Sequence, residues 1–250
     1  MVRRFLKMAA AASVAATAVA SVPSCADNHE SIFVAGVLAL TYPACTATPD
    51  PTATLLAGGI MELKLTNQYQ AWLLVGSQLL ALGQPATSAA ESNRVQMSGA
   101  DIQLNDSSGN QIAYYSVAAY GILNPTLTSD PSYGAISVQL IPPAAAATIA
   151  GQVAALEKAN KGNSVSVSAV IKVYGQTLGL TNVESGPFTY PITITDGGTI
   201  VKTVNSAKAV DCTSIPTNVT FTTPCFSGQD VLQNPCFYVC SANPNDPVCK

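Results

Sequence analysis

Ser164-Val165-Ser166-Val167-Ser168-Ala169-Val170-Ile171-Lys172-Val173 decides the fold: its odd-numbered side chains are all apolar, and Ser164, Ser166, Ser168 and Lys172 between them are polar. An extended chain points successive side chains to opposite faces, so one face of this stretch is buried and the other meets water. The same period of two returns in Met61, Leu63 and Leu65 against Glu62, Lys64 and Thr66, and again in Ile136, Val138 and Leu140. Phe188, Tyr190, Ile192 and Ile194 repeat it against Thr189, Pro191, Thr193 and Thr195. Such half-polar strands belong to antiparallel sheets with one solvated face.

Working outward, Ile32 to Leu40 is an apolar strand candidate, and Gln111 to Tyr120 is another. Between Arg94 and Asn105 the apolar parity changes, from Val95 and Met97 to Ile102 and Leu104, which predicts an extra residue, a β-bulge, near Gly99. Asp106-Ser107-Ser108-Gly109-Asn110 reads as a hairpin turn. Ala144 to Lys161 breaks the pattern: it follows Pro142-Pro143, is rich in alanine, and spaces Ile149, Val153 and Leu156 as a helix does, with Gly162 as its expected cap. The expected fold is mainly β, an antiparallel immunoglobulin-like sandwich over 58–205 with one short helix at about 144–161 packed across its end. Residues 206–250 read as an irregular, disulfide-rich tail.

The N-terminal 24 residues have the layout of a bacterial signal peptide: Arg3, Arg4 and Lys7, then an uncharged run from Met8 to Val22. Its 15 residues fall short of the roughly 20 that span a bilayer. Val22-Pro23-Ser24-Cys25 resembles a lipobox, which makes Cys25 the expected acylation site and 25–57 a lipid-anchor tether followed by the first strand. Cleavage without acylation, after Ala26 or Ala20, is the competing reading. The expected location is the outer membrane, on its periplasmic or surface face, and otherwise a soluble periplasmic or secreted state.

Of the seven cysteines, Cys25 set apart, an even set remains: Cys45, Cys212, Cys225, Cys236, Cys240 and Cys249. They suffice for three disulfides, in any of 15 pairings. With Cys45 alone at the far end of the chain, it is expected to staple the tail to the sandwich. The tail is poor in aliphatic residues, so crosslinks of roughly 2–4 kcal/mol each must order it.

The chain is 48% hydrophobic and only 10% charged, with a formal charge of −3. It lacks the positive field that nucleic-acid binding requires. No C-x-x-C pair exists and His29 is the one histidine, so neither a zinc site nor a serine-hydrolase triad is expected, nor any cofactor. Asp101, Asp106, Asp130, Glu184 and Asp196 are available as carboxylate pairs for a hydrolase, but they read more simply as solvated loop and edge residues. Asp106 to Asn110 lacks the acidic density of a dedicated calcium loop. Tyr114, Tyr115 and Tyr120 are candidates for a ligand-binding aromatic surface, whereas Trp72 reads as core.

Several stretches resemble a group of uncharacterised envelope lipoproteins of myxobacterial type: Leu65-Thr66-Asn67-Gln68-Tyr69 with Val75-Gly76-Ser77-Gln78-Leu79, Glu91-Ser92-Asn93-Arg94-Val95, and Val173-Tyr174-Gly175-Gln176-Thr177-Leu178-Gly179. Val183-Glu184-Ser185, Phe188 to Ile192 and Cys225 to Asp230 extend the match. The resemblance implies the fold and brings no catalytic residues, and the group's disulfide pairing does not carry over to this tail. The functional expectation is a non-enzymatic envelope protein, structural or adhesive, held to a membrane by its lipid, with envelope proteins or glycans as partners. The alternatives are a small-molecule or glycan-binding module and, remotely, a carboxylate-dependent hydrolase. The oligomeric state is not legible in these residues.

Overall fold

The computed structural model describes residues 31–40, 42–82, 91–199 and 225–231. Among them eleven strands and one helix follow in order: β1 Ile32–Leu38, β2 Leu55–Leu56, β3 Gly59–Glu62, β4 Tyr69–Ser77, β5 Val95–Asp106, β6 Gln111–Tyr120, β7 Ile122–Leu123, β8 Ser132–Ile141, α1 Pro143–Lys158, β9 Ser164–Thr177, β10 Asn182–Glu184 and β11 Phe188–Thr195. The protein is mainly β.

Hydrogen-bonded neighbours run β2-β1-β4-β8-β6-β5-β9-β11-β3, with β7 on β5 and β10 on β9. The sheet turns its corner where Ala119 and Tyr120 of β6 pair with Val138 and Ser137 of β8, and it folds back so that both halves share one core. Leu73, Val75, Ile136 and Val138 from one half meet Ile102, Leu104, Ile171 and Ile192 from the other in that core. The arrangement is close to a barrel. Its sheet is mixed rather than purely antiparallel, because β3 runs parallel to β11, with Ile192 opposite Gly59 and Thr195 opposite Glu62. The chain crosses from β2 in one half directly to β3 in the other, and side-chain alternation carries no information about strand direction.

The bulge falls where the parity change puts it. Met97 pairs with Gly175 and Gly99 with Tyr174, leaving Ser98 as the extra residue. The hairpin turn forms with Gly109 at φ +85°, and Asp106 Oδ1 accepts from the Ser108 and Asn110 amides at 2.8 Å each. Side-chain and backbone donation by Asn110 holds the Asp106 carboxyl below its usual range.

The helix α1 buries Ala145, Ala146, Ile149 and Val153, and starts with proline where no amide is needed. It ends before the expected boundary. Asn160, at φ +53°, takes the left-handed position, and the amides of Asn160 and Lys161 close onto the carbonyls of Glu157 and Leu156. Asparagine tolerates that conformation through its short polar side chain, so the cap arrives two residues ahead of Gly162.

Two segments outside the expected 58–205 unit belong to the same sheet. The strand β1 pairs with β4, and residues 225–231 lie along the free edge of β3, where the Glu62 amide donates to the Gly228 carbonyl at 2.8 Å and the Asp230 amide to the Ile60 carbonyl at 3.0 Å. Glu62, expected on the solvent face, is fully buried. Its carboxylate accepts from the amides of Lys64, Gly197 and Thr199 and from the Thr199 hydroxyl, so the turn after β11 wraps over it. Four donors replace the water that burial removes.

Candidate functional site

β1 accompanies β4 only from Leu73 to Ser77, which leaves the first half of β4 without a strand neighbour on that side among the described residues. Gln229 fills part of the gap. Its Oε1 accepts from the Gln70 amide at 3.3 Å and its Nε2 donates to the Gln68 carbonyl at 3.2 Å, as a facing peptide would. The backbone of 228–230 on β3 and this carboxamide beside the start of β4 help to join the two ends of the sheet.

The segment is held in place at three further points. Cys225 is disulfide-bonded to Cys45, 180 residues earlier. Gly228 and Asp230 have φ of +76° and +60°, conformations favoured by glycine and tolerated by aspartate. Asp230 Oδ1 accepts from the Ile60 amide at 2.9 Å.

The Asp230 carboxylate also accepts from the buried Tyr69 hydroxyl, at 2.8 Å to Oδ1 and 3.0 Å to Oδ2. The Tyr69 and Tyr190 hydroxyls lie 3.3 Å apart, and since the Tyr69 proton is directed to the carboxylate, Tyr190 is the donor to Tyr69. The two rings are tilted by 40° with centroids 6.4 Å apart. Tyr69 and Tyr190 arrive from facing strands, and Gly59 lets the Tyr69 hydroxyl through, because a Cβ at that position would strike it. Burial raises the Asp230 carboxyl above its ordinary value, opposed by the Ile60 amide and the Tyr69 hydroxyl. Burial, and then the Asp230 charge, push the Tyr69 hydroxyl far up, and burial pushes Tyr190 up to about 12.

A cavity of about 370 Å³ opens beside this cluster, bounded by Leu38 to Leu40, Tyr42, Leu56, Trp72 and Phe226, with Asp230 and Tyr69 at its polar end. The Cys45–Cys225 bridge ties its two walls, one carrying Tyr42 and the other Phe226. Apolar walls around one carboxylate suit an apolar molecule bearing a hydrogen-bond donor or an amine. Among the described residues Asp230 is the one carboxylate lining this cavity, so they offer no second member for hydrolysis by a carboxylate pair there.

The expected site residues fall elsewhere. Tyr114 is exposed on the sheet surface, and Tyr115 on the opposite face donates its hydroxyl to the Leu140 carbonyl at 2.5 Å, with burial holding that hydroxyl above its ordinary value. Tyr120 is 72% exposed and lies six residues along β6 from Tyr114, roughly 20 Å at strand rise. The three tyrosines are therefore not brought to one place. Asp101 accepts from Ser116, Glu184 pairs with Lys172 at 3.2 Å, Asp196 pairs with Lys64 at 3.4 Å, and Asp130 sits in an exposed turn. Trp72 is half-buried and lines the cavity rather than the core. The Cys45–Cys225 bridge matches the expected staple between tail and sandwich. Cys25, Cys212, Cys236, Cys240 and Cys249 lie outside the described residues.

Among the described residues no group of three His, Cys, Asp or Glu side chains is placed to hold a metal ion, and no helix is long and apolar enough to cross a membrane. Tyr69, Tyr190 and Asp230 were missed by sequence reasoning. The available signal was Tyr190 on the inward face of an alternating strand, since a buried phenol needs a partner. Comparison with protein-family models, with curated proteins and with solved structures finds no match.

Proposed function

We propose that this chain is an exported, non-enzymatic envelope protein, acylated at Cys25 and held at the outer membrane, with a structural or adhesive role of the kind its resemblance to myxobacterial-type lipoproteins implies. The observation that carries the reading is the Cys45–Cys225 disulfide, a crosslink that persists in oxidising compartments and is rare in the cytosol. The finer reading of the fold is immunoglobulin-like. Its support is the strand order: β1-β4-β8 in one layer, β3-β11-β9-β5-β6 in the other, and an early strand parallel to the last. Intact mass spectrometry of protein from its native membrane fraction tests the export reading. A mass starting at Cys25 plus acyl groups, with six hydrogens gained on reduction, is the expected result, and an unacylated start at Asp27 overturns the anchor.

The cavity favours a second reading, capture of a small apolar ligand. Trp72 lines it and is the single tryptophan of the chain, so its fluorescence reports occupancy directly. Titration with an alkylamine series should shift or quench that emission saturably in the wild type and more weakly in Asp230→Asn; no saturable change removes this reading.

A further inference from the structure

We infer that the pole of the fold at which the N-terminal segment enters is a membrane-contacting surface, with exposed leucines seated in the lipid bilayer surface. The inference rests on the acylated-envelope reading above, and it adds which face of the protein the membrane covers.

Three connections meet at this pole. The β4–β5 connection carries Leu80 and Leu82, the β7–β8 connection carries Leu127, and the β9–β10 turn carries Leu178 and Leu180. These five side chains are between 54 and 86% exposed, whereas Leu38, Leu73, Leu74, Leu104, Leu123 and Leu140 are buried and Leu55, away from this pole, is the one other exposed leucine among the described residues. Hydrogen bonds make the connections one platform. Leu80 bridges to Thr126, the Ala81 amide donates to the Thr126 carbonyl at 2.8 Å, Asn93 Nδ2 donates to the Leu80 carbonyl at 2.7 Å, and the Gly179 amide donates to the Ser92 carbonyl at 2.8 Å. The leucines are thus displayed on a hydrogen-bonded base. Residues 78–82, 121–129 and 178–182 contain no charged side chain, so the leucine-bearing tips enter lipid without desolvating an ion of their own, while Glu91, Arg94 and Asp130 flank them. Tyr120, 72% exposed beside Leu178 and Leu180, has the amphipathic character that suits the headgroup level.

The occupant follows from where the chain enters. The Gln78 amide donates to the Ser31 carbonyl at 2.9 Å, so residue 31 sits at the base of the Leu80 and Leu82 connection. Cys25 is six residues upstream, a reach of at most roughly 20 Å. Acyl chains on Cys25 therefore hold this pole, and not the end carrying α1 and the Trp72 cavity, against the bilayer. A protein partner would need to compete with a lipid surface already tethered beside the leucines.

The test places a reporter at each pole of the full acylated protein. Leu127→Trp and, at the far pole, Ala155→Trp are made in a Trp72→Phe background and reconstituted into vesicles of phosphatidylethanolamine and phosphatidylglycerol containing brominated lipid, with the acyl mass verified on each sample. Expected are blue-shifted, quenched emission at position 127 and water-like, unquenched emission at 155. The unacylated Cys25→Ser chain should still partition onto the same vesicles, and Leu80→Ser/Leu127→Ser/Leu180→Ser should weaken that partitioning by at least about tenfold. Unquenched emission at 127 in protein of verified acyl mass overturns the inference while leaving the anchor intact. Concentration-dependent dimerisation with no quenching overturns it in favour of a second copy. Absence of acyl groups, with quenching at 127 retained, removes the anchor and supports the surface.

Discussion

Replacing Gln229 should weaken the seam between β3 and β4, because its carboxamide supplies two of the hydrogen bonds, beside those from Tyr69 to Asp230, that hold the 225–231 segment against Gln68 and the start of β4. In Gln229→Leu the Gln70 amide, in a half-buried position, loses its acceptor, at a cost of about 1–3 kcal/mol, whereas the exposed Gln68 carbonyl turns to water at a cost of about 0.5 kcal/mol. A loss of about 1.5–3.5 kcal/mol is therefore expected from urea unfolding with linear extrapolation. Gln229→Glu keeps an acceptor for Gln70 but sets a carboxylate against the Gln68 carbonyl and beside Asp230. It should lose more than the leucine variant at pH 7, and the difference should shrink toward pH 4. Amide exchange localises the effect, with protection falling at Gln70 and at the Glu62 and Asp230 amides that pair across the segment. A leucine variant within 0.5 kcal/mol of wild type, with Gln70 still protected, would refute the idea that this side chain closes the fold.

Three other outcomes are expected. The Asp230 carboxyl is raised by burial, so its contribution to stability is fully present below the ordinary aspartate value of 3.8 and is lost as pH rises through the folded value. The urea midpoint of wild type relative to Asp230→Asn should accordingly decline from pH 3.5 upward, and a constant difference would contradict the assignment. Removing the crosslink as Cys45→Ser/Cys225→Ser releases a closure spanning 180 residues. A loss of up to roughly 5 kcal/mol should appear in the denaturant midpoint, and less than about 1 kcal/mol would mean the unfolded chain is not constrained by it. Asn160→Ala should cost about 1 kcal/mol at the left-handed end of α1, while Asn160→Gly should be neutral or slightly stabilising in thermal melts; equal effects would show that backbone conformation is not what the position selects.

What could be read in advance follows from how each element meets solvent. The strands β5, β8, β9 and β11 have one wet face, and their alternation locates them, with the parity change in β5 marking the bulge at Ser98. No such alternation exists in β4, where Ala71-Trp72-Leu73-Leu74-Val75 is an unbroken apolar run and Leu73, Leu74 and Val75 are all buried. Glu62 looked solvent-facing because the turn that covers it comes from residues 195–199, far along the chain. The Tyr69–Asp230 contact has the same character, with partners 161 residues apart and no local pattern in Phe226-Ser227-Gly228-Gln229-Asp230 to announce it. Cys45, isolated from the other cysteines, was the one long-range cue the chain offered; it pointed to the tail without choosing among the tail's cysteines, and its partner in the structure is Cys225.

The position of Cys225 also sets an order of events. Every described strand precedes it in the chain, from Ile32 to Thr195, so the sheet can be laid down in full while the β3–β4 seam is still open. A chain emerging N-terminus first would present the Trp72 cavity without its Phe226 wall, and Tyr69 and Tyr190 without their acceptor, until the closing segment arrived. An oxidant acting before it would find Cys45 without Cys225 alongside, which makes the interval between strand assembly and seam closure the time when mispairing with another thiol competes with the native bridge.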